Sequence, residues 1–280
     1  MTAPVPTSAA FAPAEPLRDV AYCYDGTLEG LLTAVFQSYA LHEEPQDVVP
    51  EGVLQRRLGQ SVRHIDADEA LACRVRAGIV RAAGSAAFEA VAHASLSDDP
   101  TAGTAVYRFI RYAMARERMG ARGAILSELA HPAVGPLAKL DRAVMNERHR
   151  MQQFLRFEHL ETGVWYARCN PNANVVPLLM DWFSGRFNTQ PFLIFDEVHR
   201  IAGVYGGRGW HLVRTDDVQV PPHAADEKLM RAAWKRFYDA VSVEARYHPE
   251  LRRQFMPKRL WKNILETHER IPGKELELRG

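Results

Sequence analysis

An α+β fold is the class this sequence predicts, and three features predict it. A strand-like opening run breaks into an amphipathic helix, a long middle stretch keeps a helical period, and the period then shortens to strand-like runs around turns before helical spacing returns. The expected sheet is mixed or antiparallel with hairpins, accompanied by a helical middle segment and C-terminal helices. The expected organisation is a flexible Pro/Ala-rich tail over residues 1–17 and a single α+β domain over 18–280, with the helical segment at about 66–156.

Each element has a local reason. "DVAYCY" is an apolar strand-like run, and Leu28, Leu31, Leu32, Val35 and Phe36 follow at i, i+3, i+4, i+7 and i+8, the stripe of a helix that packs on a sheet. "SVRHID" is a short second strand. Asp66 with Glu69 three residues on has the form of a capping box opening a helix through Leu71, Val75 and Ile79, and Ser85 starts another. Val106, Phe109, Ile110, Ala113 and Met114 repeat the period, and "HPAVGPLAKLDRAVMNERHRMQQFLRF" extends it. Two hairpins are expected, around Glu161-Thr162-Gly163 and around Val198-His199, flanking a helix in "NVVPLLMDWFSGRF". After "WHLVR" come two helical stretches, the last opened by Pro257.

Composition limits the function classes. The 280 residues are 47% hydrophobic, enough to bury a sizeable core. With 35 Lys+Arg against 34 Asp+Glu the formal net charge is +1, so affinity for nucleic acid has to come from local clustering. The three cysteines, Cys23, Cys73 and Cys169, lie far apart without C-x-x-C spacing, which argues against a disulfide framework or a cysteine-ligated metal and for a reducing, cytoplasmic setting. No run is long and apolar enough to span a bilayer, so no membrane partner is expected.

The Asp25-Gly26 junction is where a strand-to-helix turn can grip an anion. Yet Asp25 itself is placed to cap the helix, an acid repels phosphate, and neither G-x-G-x-x-G nor G-x-x-x-x-G-K-[ST] occurs there, so a capped turn is expected, with Glu29 a solvated first-turn acid. Glu128 and His131 have the Glu-x-x-His spacing of a di-iron helix, but in one copy beside Pro132. No metal site and no cofactor are expected. Cys23 in an apolar strand reads as an inert buried thiol.

The long middle helix carries the strongest signal. At about 100° per residue, Leu137, Leu140, Val144, Met151, Phe154 and Leu155 share one face with Arg148 among them, while Lys139, Arg142, Asn146, His149, Arg150, Gln153 and Arg156 fall on the opposite arc. Asp141 and Glu147 project near the apolar stripe, so the arc has no carboxylate. A one-signed face with Asn and Gln interleaved suits phosphates and base edges, and it also occurs as a merely solvated basic face. Arg148 is expected to pair with Asp141 or Glu147. The preceding helix adds Arg108, Arg111 and Arg118 on one side. Near the C-terminus, Lys258, Arg259 and Lys262 flank Trp261, and Lys235 and Arg236 stand beside Trp234 and Phe237. Such neighbours can hold a strand by charge and stacking, whereas Trp234, Phe237, Tyr238 and Val241 at helical spacing read more simply as a core stripe.

"YDGTLEGLLTAVF", "ERHRMQQFLRF" with its hairpin, "NPNANVVPLLMDWFSGRF" and "WKRFYDAVSVEARYHPELRRQFMPKRLWKNILE" together resemble the DNA metabolism protein family encoded beside a radical S-adenosylmethionine protein, from about Tyr22 to Glu266. The resemblance implies a role in DNA repair or modification, since relatives are paired with that radical enzyme and some are fused to a uracil-DNA glycosylase domain. It supplies no catalytic residues, and this chain departs from it at Trp182, where relatives often have His. Two expectations follow from it. The protein is a DNA-binding or adaptor partner of the radical enzyme, using Lys139, Arg142, Asn146, His149, Arg150, Gln153 and Arg156 on phosphates and bases. Alternatively it is a base-processing hydrolase of glycosylase-like type acting on a flipped nucleotide, with Asp25 or Glu147 activating water.

Overall fold

A computed structural model describes residues 19–121, 125–241, 250 and 256–264. The tail expected over residues 1–17 lies outside them. The chain packs as two compact units, one of Met1–Ser95 and Asp99–Lys139, the other of Leu96–Asp98 and Leu140–Gly280. Mixed sheets with parallel and antiparallel pairs, helices between them and helical turns toward the C-terminus make the chain α+β, as its sequence predicts.

In the first unit, β1 (Val20–Tyr24) is buried along its whole length between β2 (Asp47–Pro50) and β3 (Ser61–Ile65), and both pairings are parallel. A strand buried on both faces has to be continuously apolar, which "VAYCY" is. Helix α1 (Leu28–Ala40) connects β1 to β2 and buries Leu31, Leu32 and Val35. β2 is only four residues ending in proline, too short to carry a period, and goes unread in the sequence. The edge of the sheet that β2 forms is covered by α4 (Ala102–Arg118), where the Val48 N–H donates to Thr104 Oγ1 at 2.9 Å. That approach is close enough to require glycine next door: a Cβ on Gly103 would lie 2.3 Å from the Val48 carbonyl oxygen. Helix α4 turns Val106, Phe109, Ile110 and Ala113 inward as its period predicts.

Helices α2 (Glu69–Ala83) and α3 (Ser85–Ala94) complete this unit. The cap of α2 is Asp68, whose side chain accepts from the Leu71 N–H at 3.0 Å, and not Asp66 as the capping-box spacing suggested. Helix α5 (Gly135–Phe154) is the expected long helix, with Leu137, Leu140, Val144 and Met151 buried.

The second unit holds a five-stranded sheet ordered β4 (Glu158–His159), β5 (Trp165–Cys169), β6 (Phe192–Asp196), β7 (Ile201–Tyr205), β8 (Trp210–Arg214). The hairpins expected around Glu161–Gly163 and Val198–His199 are the β4–β5 and β6–β7 antiparallel pairs, and α6 (Val176–Arg186) makes the parallel crossover from β5 to β6. Leu179, Met180 and Phe183 of α6 pack with Val144 and Met151 of α5 on Ala167, Cys169, Phe192 and Ile194. Helix α7 (Glu227–Val241) departs from expectation. Three residues of its supposed core stripe are at the surface, with Trp234 41%, Phe237 56% and Val241 57% exposed, and only Tyr238 is part-buried. Periodicity assigns those residues to one face but says nothing of what covers it. Among the described residues no helix is long and apolar enough to cross a membrane.

Candidate functional site

The arc predicted on α5 divides. Arg142, Asn146, His149 and Gln153 are exposed, with the Gln153 amide 2.9 Å from the His149 ring. Lys139 is exposed in the first unit, where its charge helps hold the Asp99 carboxyl below its ordinary range, after the larger effect of hydrogen bonds from Thr101. Arg150 is half-buried and ion-paired to Glu147 at 3.2 Å. Arg156 lies beyond the helix end, and its Nη1 donates back to the carbonyls of Gln153 and Leu155 at 3.0 and 3.2 Å.

Glu147 is the organising acid of this region. It is 2% exposed, and both oxygens meet Arg259 Nη2 at 2.6 Å, while the Asn172 N–H donates at 3.1 Å. Arg259 also donates to the Asn170 carbonyl at 2.7 Å. With these donors in place both oxygens of the Glu147 carboxylate are engaged and withdrawn from solvent. Arg148, expected to pair with Asp141 or Glu147, instead donates from Nε to the Leu178 carbonyl at 3.2 Å; a part-buried guanidinium is satisfied by a backbone carbonyl, which has two lone pairs, as well as by an acid.

Beyond the end of α5 the chain forms a cavity of about 320 Å³. Arg156 and Phe157 enter from the helix end, Glu158 from β4, Arg168 from β5, Glu227 and Arg231 from the first turns of α7, and Lys262 and Asn263 from the C-terminal helical turn. Four cations thus face two carboxylates, and both acids are occupied. Glu158 takes Arg231 at 2.6 Å and the His223 ring at 2.7 Å, whereas Glu227 takes Arg231 at 2.8 Å and the His159 N–H at 2.9 Å. Lys262 and Arg168 share Glu197 at 2.7 and 3.4 Å and remain about half exposed. Burial works against the Glu197 charge, but Lys262, Asn170 and Arg168 outweigh it and hold its carboxyl below the usual range. Next to the cavity the Arg156 guanidinium lies 6.0 Å from the Trp234 ring centre.

A third cluster joins Asp98, Asp196 and His199. Asp196, at the end of β6, is fully buried; its Oδ1 accepts the N–H groups of Val198 and His199 at 2.9 and 3.1 Å, and its Oδ2 is 2.5 Å from His199 Nδ1. His199 Nε2 is 2.7 Å from Asp98 Oδ1. Burial opposes charge on the ring, yet the two carboxylates prevail and its pKa is pushed up to about 9. Asp196 and His199 are neighbours in "DEVH", a spacing that any turn offers, and Asp98 is 101 residues away, so nothing in the sequence announced the cluster.

The remaining candidates are structural. At the opening junction Thr27 is the cap of α1, accepting the Gly30 N–H at 3.0 Å, and Asp25 holds Thr27 through its N–H at 2.9 Å and hydroxyl at 2.6 Å. This corrects the cap assignment to Asp25 and leaves a turned corner in the first unit. Glu128 is taken by the Tyr112 hydroxyl at 2.7 Å and Arg116 at 2.6 Å, and His131 stacks on Tyr112. Arg111 of the preceding helix pairs with Glu44 at 2.7 Å. Cys23 is buried, which raises its thiol pKa and keeps it protonated. Trp182 sits edge-on to Phe183 with Arg186 over its ring.

Residues 100–266, more than half of the chain, match the family described as domain of unknown function DUF4130. A search of curated proteins finds no match.

Proposed function

The chain belongs to the DUF4130 family, and from that premise we propose that it is a DNA metabolism protein, serving repair or modification as a DNA-binding or adaptor partner of a radical S-adenosylmethionine protein. The family-like motifs of its sequence suggest the process and the partner. The observation that carries DNA binding is the outward arc of α5. Glu147, an acid of the same helix, is drawn inward by Arg259 and Arg150, so Arg142, Asn146, His149 and Gln153 meet solvent without a carboxylate from that residue beside them. A cation next to amide and imidazole groups can bind phosphate and reach base edges.

A second reading, a base-processing hydrolase, draws on the cavity, where Glu158 and Glu227 face basic groups and Phe157. Arg231 is ion-paired to both acids, so neither faces the cavity as a free carboxylate, and neither Asp25 nor Glu147 lines that cavity. The adaptor reading therefore stands first.

Anisotropy titration of labelled duplex and single-stranded DNA at several salt concentrations tests the arc. Arg142→Gln/His149→Gln should weaken binding to every DNA form and reduce the salt slope by roughly one unit per phosphate contact removed. Unchanged affinity and slope in a double variant that melts normally would make the arc a solvated face. Copurification with the product of a neighbouring gene bearing a C-x-x-x-C-x-x-C motif tests the partner.

A further inference from the structure

Helix α7 keeps its apolar side chains where water reaches them. Met230, Trp234, Phe237 and Val241 recur at i, i+4, i+7 and i+11, which is one face, and each is more than a third exposed. An exposed stripe of this kind, rimmed by polar residues, marks a place where something binds. What binds is indicated by what adjoins it. Trp234 lies against Arg156, and Arg156 opens onto the cavity that Arg168, Arg231 and Lys262 also line. Rings and cations are therefore contiguous, and the cavity's own acids are already engaged by Arg231.

A ligand complementary to both parts needs negative charge at regular intervals and flat apolar faces next to it. A duplex presents the charge but keeps its base faces stacked inside, and an apolar protein helix presents no charge for the cavity. A single nucleic-acid strand presents both, and base-on-ring stacking tolerates any sequence. We infer that the cavity and the aromatic face of α7 together hold single-stranded DNA, with a backbone phosphate at Arg168 and Lys262 and unstacked bases on Trp234 and Phe237. The inference rests on the DNA reading above and adds to it the form of DNA and a second contact surface, which takes Arg156 from the predicted arc but none of Arg142, Asn146, His149 and Gln153. The 5.8 Å between the Trp234 and Phe237 ring centres gives two neighbouring platforms on consecutive turns.

The test uses the full chain with a labelled sixteen-residue oligodeoxythymidylate and a labelled hairpin duplex. Trp234→Leu and Phe237→Leu should each weaken binding of the oligothymidylate by about tenfold and leave the hairpin within about twofold, given the usual worth of one base–aromatic stack. Trp234→Phe, which keeps a ring, should restore most of the affinity, and quenching of tryptophan fluorescence by the oligothymidylate should shrink in Trp234→Leu. Lys262→Gln should flatten the salt dependence for the single strand. Both leucine variants alter exposed side chains, and circular dichroism melts confirm that they fold. If both bind the oligothymidylate as the parent does, the platform is wrong while duplex binding through α5 still stands. If the parent binds neither DNA, the DNA reading falls together with the platform. A dimer that dissociates in Trp234→Leu would assign the face to a second copy of the chain and overturn the inference.

Discussion

Glu147 and Arg259 lie 112 residues apart and are joined by two 2.6 Å contacts from a single guanidinium nitrogen to both carboxylate oxygens. The Glu147 side chain is 3% exposed and that of Arg259 24%, so the acid is the more deeply committed partner. The contact fastens the C-terminal helical turn to α5 within the second unit, and it explains why a basic run that reads as a nucleic-acid surface is partly consumed inside the protein.

Removing one partner of such a pair leaves a buried charge uncompensated. Arg259→Met should destabilise the second unit by about 3 kcal/mol, at the lower end of the range for buried pairs because Arg150 and the Asn172 N–H still reach the carboxylate. Glu147→Leu/Arg259→Met should recover more than half of that loss. Urea unfolding of Arg259→Met, Glu147→Leu and the double variant checks it; simple additivity of the two single changes would mean that the residues act independently.

The Asp98–His199–Asp196 cluster gives the protein a pH signature. The His199 pKa is about 9 when folded against the ordinary 6.5, so the imidazolium is favoured by folding. Its stabilisation is complete below about pH 6.5 and is lost as pH rises through 9. Denaturant unfolding from pH 6 to 10 should show stability falling across that window, and His199→Gln should flatten the fall. A parent and a variant with the same pH profile would remove His199 as its cause.

How much of this was legible beforehand varies with the kind of signal. Strongly periodic elements were readable, because burial imposes the period: α1, α4, the inner face of α5 and both hairpins follow the apolar spacing. Short elements were not, and β2, four residues closed by Pro50, carries no period. Partners were least legible. A helical wheel gives the angle at which Arg148 projects, not that a carbonyl of Leu178 waits there, and it groups Trp234 with Phe237 without revealing that their face is open. The four cations of the cavity come from four separated parts of the sequence, so their convergence is a property of the fold alone.

Gly103 should resist the substitution that ordinarily helps a helix. Alanine is favoured over glycine by about 1 kcal/mol inside a helix, yet here the new Cβ would lie 2.3 Å from the Val48 carbonyl oxygen of β2, to which the Thr104 hydroxyl donates at 3.3 Å. Gly103→Ala should therefore lower stability by about 2 kcal/mol, as overpacking does, and the melting temperature with it. A gain on melting would mean that α4 can slide away from the strand edge.

The opening junction makes the last prediction. Thr27 caps α1, and Asp25 holds Thr27 through one oxygen that accepts both its N–H and its hydroxyl. Thr27→Ala should cost about 1 kcal/mol, the usual loss of an N-cap. Asp25→Asn keeps an acceptor in the same place and should change little, in stability or in DNA affinity, because the Asp25 oxygen is engaged in holding the cap of α1. Gly30→Ala is the sharper probe: its Cβ would stand 2.2 Å from Asp25 Oδ1, and that oxygen cannot withdraw without releasing Thr27. Gly30→Ala should thus destabilise by about 1 kcal/mol or more, and much of the loss should vanish when Asp25→Ala removes the obstructing carboxylate. Thermal melts of the two single variants and the double variant close the cycle. If the losses simply add, Asp25 and Gly30 do not compete for the same space; if Asp25→Asn protein that melts normally loses DNA affinity, the corner is a ligand site after all.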